Sequence, residues 1–184
     1  PSFLAGSIRI NEVMADPKGQ KAFPETEYVE LYNTTDKAIE LNGWSFLYGS
    51  KPTVLTALLL DADGYVVLYR SGRDIHIDDA GLDLPLDKFP ASLVNTGKEL
   101  ALFDPSGKEI DRIAYEKAKV GIAWERSETG FHLSTDERGG TPGSANSSPD
   151  DEPEDPDRPD TPHKPGIPTD IIVLPNEIVF NELL

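Results

Sequence analysis

Apolar and polar residues alternate with a period of two over most of the first 146 positions, the pattern of half-buried strands. In Glu27–Asn33, Val29 and Leu31 fall on one face. Tyr28, Glu30 and Tyr32 fall on the other, which is expected to be solvated. In Lys98–Asp104, Leu100 and Leu102 oppose Ala101 and Phe103. The same reading places strands over Ile8–Ala15, Glu27–Asn33, Ala38–Tyr48, Thr53–Leu60, Gly64–Arg70, Glu99–Asp104, Glu109–Tyr115 and Gly121–Arg126, with a last piece over Phe131–Ser134. Turn signals separate them: Asn42-Gly43, Asp63-Gly64 and Asp104-Pro105-Ser106-Gly107. No stretch sustains a 3.6-residue apolar period, so the pattern predicts an all-β sandwich or barrel. Ile75–Asn95 departs from it. Asp74, Asp78, Asp79, Asp83 and Asp87 crowd this region, and Pro85 and Pro90 interrupt it. It reads as a long excursion with one short strand or a turn of helix, a common place for binding residues.

From Pro149 to Asp170 the alternation stops. Prolines stand at 153, 156, 159, 162, 165 and 168. Polyproline II has three residues per turn, so these prolines would line one edge of an extended helix, and the acids between them repel one another. At about 3.1 Å per residue this stretch would span roughly 68 Å. Disorder is the other reading of such a composition. Apolar residues return over Ile171–Leu184, where Glu177-Ile178-Val179-Phe180-Asn181-Glu182 echoes Ser7-Ile8-Arg9-Ile10-Asn11-Glu12. The echo is read as the first strand of a second, truncated copy. A lone strand cannot bury its own apolar face, so Ile178, Phe180, Asn181 and Glu182 are expected to dock on a sheet edge, of this chain or a neighbour. The expected division is 1–6 linker remnant, 7–146 folded domain, 147–170 acidic proline-rich spacer and 171–184 repeat strand. Position 1 is not Met and Met14 lies inside a strand, as expected of a fragment or processed form; no signal peptide remains at Pro1–Ser7.

Charge narrows the chemistry. The formal net charge is −16, and the stretch from Ser147 holds 10 of the 33 acids but 2 of the 17 Lys and Arg. Both parts are acidic and would repel a phosphate backbone, so no nucleic-acid partner is expected. The absence of cysteine excludes disulfides, zinc-thiolate sites and thiol nucleophiles. The longest apolar run, Val54–Leu60, is broken by Thr56 and far shorter than the ~20 residues of a membrane helix, so no membrane insertion is expected.

Five short motifs stand in order: Ile10-Asn11-Glu12-Val13, Asp16-Pro17, Glu27-Tyr28-Val29-Glu30-Leu31-Tyr32-Asn33, Leu41-Asn42-Gly43-Trp44 and Gly140-Thr141-Pro142-Gly143-Ser144-Ala145-Asn146. Together they resemble the lamin tail domain in its bacterial form. The resemblance implies an immunoglobulin-like antiparallel β-sandwich over 7–146, here with an extended proline-rich C-terminal tail. It also implies a non-catalytic structural or interaction module of a secreted, periplasmic or cell-surface protein, with a protein or cell-surface partner. Independently of it, Trp44 after a tight turn is expected to anchor the core. Gly140–Asn146 is expected to close the domain, with Gly139, Gly140 and Gly143 supplying backbone freedom.

No catalytic residues emerge. His76, His132 and His163 lack metal-ligand spacing, and no nucleophile elbow is present. Glu12, Asp16, Glu25, Glu27 and Glu30 form one acidic group. Glu12, Asp16, Glu27 and Glu30 are oxygen ligands of the kind Ca²⁺ takes. The reading preferred to Ca²⁺ is structural, with Glu12 and Glu30 accepting from loop amides at a sheet end. The tyrosines Tyr28, Tyr32, Tyr48, Tyr65, Tyr69 and Tyr115 either pack across strands or form a binding platform. No cofactor is expected apart from that Ca²⁺. The alternative function is an accessory carbohydrate- or Ca²⁺-binding domain of a secreted hydrolase.

Overall fold

Strands form in the computed structural model, which describes residues 3–75, 77 and 81–147, wherever period-two alternation meets a turn-forming pair. In chain order they are β1 Ile8–Met14, β2 Tyr28–Asn33, β3 Ile39–Glu40, β4 Ser45–Tyr48, β5 Lys51–Val54, β6 Leu59–Leu60, β7 Tyr65–Arg70, β8 Gly81–Leu86, β9 Lys98–Phe103, β10 Glu109–Tyr115, β11 Trp124–Ser127 and β12 Gly130–Leu133. A six-stranded sheet in the order β12-β11-β1-β2-β7-β8 faces a four-stranded sheet, β10-β9-β4-β5, and β3 pairs with β6 apart from both. This is an all-β, immunoglobulin-like sandwich, with no helix among the described residues. The chain divides into two units, Pro1–Pro153 and Glu154–Leu184, and every described residue belongs to the first.

Inner faces of the two sheets supply the core. Ile8, Ile10, Val29 and Leu31 of the larger sheet meet Trp44, Phe46, Leu100 and Leu102, all fully buried. Each such side chain stabilises the fold by roughly 1.5–3 kcal/mol relative to exposure. Trp44 packs edge-on against Phe3, with ring centroids 4.8 Å apart.

Two expectations are corrected, and a third is sharpened. Ala38–Tyr48 is not one strand. Gly43 takes φ +80°, and the Trp44 N–H returns to the Leu41 carbonyl, so the chain turns between β3 and β4. Thr53–Leu60 likewise divides into β5 and β6, because Leu55 N–H bonds the Trp44 carbonyl beside that turn. The Ile75–Asn95 excursion contains the six-residue strand β8, which runs parallel to β7, so the sandwich is not wholly antiparallel. The ten residues between β7 and β8 are long enough to carry the chain back to β7's starting end, which parallel pairing requires.

A bulge sets the two faces of β1. Its register on β2 shifts between Ile10 and Glu12, so Asn11 is an extra residue. Uninterrupted alternation would point Glu12 inward after Ile8 and Ile10. With the bulge, Val13 and Ala15 join the core and Glu12 turns to the outer face.

Candidate functional site

The turn of Glu12 to the outer face creates the site. Glu12 lies directly opposite Glu30 of β2 and Glu125 of β11, so three glutamates form a row across adjacent strands. All three are 0% exposed. They are covered by the segment Gly139–Ser147, here called the strap, which crosses the outer face of the sheet and donates to them. Thr141 N–H donates to Glu12 Oε2 at 3.0 Å, and Gly143 N–H to Glu30 Oε2 at 2.6 Å. Ser147 N–H and hydroxyl donate to Glu125 Oε2 at 2.8 and 2.5 Å. The Thr141 hydroxyl sits between two carboxyls, 2.8 Å from Glu12 Oε2 and 3.1 Å from Glu125 Oε1. From the sheet itself, Tyr28 donates its hydroxyl to Glu12 Oε1, and Asn11 Nδ2 donates to Glu30 Oε1 at 2.7 Å.

Burial dominates the electrostatics. It pushes the Glu12 carboxyl up to about 7, with the neighbouring Glu125 charge adding to the rise and the Tyr28 and Thr141 hydrogen bonds opposing it. Burial likewise drives Glu30 well above the usual carboxylate range, and the Glu12 charge drives it further. Tyr28 is held firmly in its neutral phenol form by burial and by the three carboxylates around it.

The strap's own sequence lets it lie this close. Gly139 has φ +82°, and a Cβ there would stand 2.1 Å from the Gly121 carbonyl oxygen. A Cβ on Gly81 would stand 2.4 Å from the Gly143 Cα. A small apolar cluster of Met14, Tyr28, Val67, Tyr69 and Ala123 shares this outer face. The face holding Tyr28 and Glu30 is therefore not solvated as its alternation suggested; only Tyr32 remains partly exposed.

A family model described as Lamin Tail Domain matches residues 1–117. The chain belongs to the Lamin Tail Domain family. A search of curated proteins finds no match to this chain. Members of the Lamin Tail Domain family are structural immunoglobulin-like modules and the family is not one of enzymes. The matched stretch contains Glu12 and Glu30. Glu125, Thr141, Gly143 and Ser147 lie beyond it, so the match alone does not reveal the row of three carboxyls.

The four carboxylates weighed as a Ca²⁺ set divide into two pairs. Glu12 and Glu30 accept from backbone amides, across the sheet face and not at its end. Asp16 and Glu27 line a cleft of about 610 Å³ together with Glu25, Arg70 and Arg73. There Asp16 accepts from Asn95 Nδ2 at 2.8 Å, and Glu27 accepts from the Leu93 N–H at 2.9 Å. Partial burial raises the Glu27 carboxyl from its ordinary range. Among the described residues no three carboxylate or imidazole side chains gather as a metal-binding group. Of the acidic loop, Asp83 accepts from the Tyr69 hydroxyl at 2.7 Å. His132 stands in β12 opposite Glu125. Tyr32 and Tyr65 stack at 4.8 Å, and Tyr48 and Tyr115 meet hydroxyl to hydroxyl, so cross-strand packing accounts for four tyrosines. Ile178, Phe180, Asn181 and Glu182, with His76, His163, Asp78 and Asp79, lie outside the described residues.

Sequence reasoning missed Glu125, Tyr28 as a ligand of Glu12, and Asp111. Glu125 had a weak signal, since it alternates outward beside Trp124. Nothing local indicated that a segment 16 residues on would cover it.

Proposed function

We propose that this chain is a non-catalytic interaction and spacer module of a secreted, periplasmic or cell-surface protein built from tandem domains. The observation that carries this reading is the closure of the three-glutamate row. A general acid or base must reach substrate. Glu12, Glu30 and Glu125 have no exposed surface, and their oxygens are taken by the strap and by Tyr28 and Asn11. The row holds the domain shut and presents nothing to a ligand.

The tandem arrangement is supported by the echo of residues 7–12 at 177–182 after the proline-ruled stretch. On this reading 147–170 spaces the modules and Ile178–Leu183 begins the next one. In the isolated chain that strand pairs with a sheet edge of a neighbouring molecule, Asn181-Glu182 imitating Asn11-Glu12. Two edges discourage such pairing, because β5 carries Lys51 and Pro52 and β8 carries Pro85; β12 carries neither lysine nor proline.

Analytical ultracentrifugation of the 184-residue chain and of a version ending at Asp170 tests the strand. The full chain is expected to self-associate and the shortened one to remain monomeric; equal behaviour removes the pairing. Titration calorimetry with Ca²⁺ and a glycan panel is expected to give flat traces. A saturable heat would replace this reading with that of an accessory ligand-binding domain of a secreted hydrolase.

A further inference from the structure

We infer that the strap is locked by a proton, held in a chain from Glu12 through Thr141 to Glu125, and that its loss above neutral pH releases Gly139–Ser147 from the sheet. The Thr141 hydroxyl has one hydrogen but two carboxyl oxygens within reach, Glu12 Oε2 at 2.8 Å and Glu125 Oε1 at 3.1 Å. Both contacts are hydrogen bonds only when one carboxyl brings its own proton. Glu125 is the better place for the anion, since its other oxygen already takes two donors from Ser147. The order is then Glu12 Oε2–H to Thr141 Oγ1–H to Glu125 Oε1. Tyr28 and Thr141 N–H continue to serve Glu12.

Among the described residues, the groups facing Glu12 supply no positive charge that would replace this proton. β2 contributes Tyr28 and Glu30, and β11 contributes Glu125. The strap has no charged residue between 139 and 147. His132 of β12 stands one strand further, opposite Glu125, with its Nδ1 against the Leu133 carbonyl. Arg126 bonds Asp111 and the Ile10 carbonyl. When Glu12 loses its proton, adjacent anions face each other in a buried site, and the repulsion falls on the strap that covers them. The root of the proline-rich stretch, Ser147, is freed with it, and Tyr28 and Ala123 lose the Gly139-Gly140 backbone that lies against them.

The direction of the Glu12 shift agrees. A raised carboxyl pKa means that the closed form binds the proton more tightly than the open one, so closure is favoured at low pH. That advantage fades as pH rises from the ordinary 4.5 through about 7.

Hydrogen exchange of the full 184-residue chain, corrected for the intrinsic rate, tests this at pH 5 and pH 8. Protection of the Thr141, Gly143 and Ser147 amides is expected to fall about tenfold relative to Leu100 and Leu102 of β9. In Glu12→Gln, where no ionisation occurs, protection should persist at pH 8. Unchanged protection in the natural chain, or an equal loss in the variant, overturns the lock. Should the variant fail to fold, infrared difference spectra of the natural chain between pH 6.5 and pH 8, where carboxyls of ordinary pKa are already ionised, decide: a protonated-carboxyl band present at pH 6.5 and gone at pH 8 supports it, and no band at pH 6.5 sinks it.

Discussion

A carboxylate with no exposed surface costs several kcal/mol in desolvation unless donors or a proton offset it. Three such groups on neighbouring strands therefore shape the pH response of the whole domain. Glu12 and Glu30 both have raised pKa values, so each stabilises the fold most below its ordinary pKa and progressively less as pH rises through the folded value. Asp136 acts in the opposite sense. Its Arg138 partner lowers it, so its stabilisation is lost as pH falls toward that lowered value. Urea unfolding is therefore expected to give greater stability at pH 5 than at pH 8, by about 1–3 kcal/mol. A curve that rises from pH 5 to pH 8 would reject this account of the glutamate row. Sterics make a second residue-scale prediction. Gly81 meets Gly143 backbone to backbone, and neither atom can swing away. Gly81→Ala should cost about 1–3 kcal/mol and loosen the strap, measurable by urea midpoint and by proteolysis near Gly143. The glycines of the strap were legible as a closure in the sequence. Their closeness to Gly81 and Gly121 was not, because contacts across 62 or 18 positions leave no local pattern.

Among elements, alternation and turn pairs located β1, β2, β7, β9 and β10 to within a residue or so, since each is long enough for its period to show. Where Gly43 and the segment after Val54 interrupt the pattern, two predicted strands break into four short ones. The acidic excursion left open a short strand or a turn of helix, and neither the bounds of β8 nor its parallel register showed in Asp83 and Pro85, which read as loop residues until Tyr69 and the register explain them. The bulge at Asn11 was equally hidden, and it decides the site. It leaves the Ile10 N–H to be accepted by Asp111 Oδ2 of the opposing sheet at 2.8 Å, while Arg126 bonds the same Asp111 oxygen at 2.6 Å and the Ile10 carbonyl. Asp111 thus ties β10, β1 and β11 across the two layers. Asp111→Ala would strand a largely buried arginine and a backbone N–H together, an expected loss of about 3 kcal/mol in chemical denaturation. Asp111→Asn keeps an acceptor for Ile10 and should lose less. Equal effects of the two substitutions would show that the amide contact contributes little.

At the scale of the molecule, the question is where the folded domain ends. The family match stops at residue 117, before β11, β12 and the strap. Physical closure does not stop there: Glu12 of the first strand finds its strap donor at Thr141, 129 positions away, and Asn146 Nδ2 donates to the carbonyls of Asn11 and Arg126. Without the strap, Glu12, Glu30 and Glu125 would meet water with their strap donors gone. A chain ending at Ser147 keeps every one of these bonds and, at a dilution where the 184-residue chain is monomeric, should unfold within about 1 °C of it, since shifts below roughly 0.3 kcal/mol are that small for a domain of this size. A chain ending at Arg138 lacks the Thr141, Gly143 and Ser147 donors and should lose at least about 3 kcal/mol or fail to fold. Calorimetry of both decides it. If the Arg138-terminated chain matched the longer one, the strap would be an ornament on a sandwich complete without it. The three buried glutamates would then need another reason to be there.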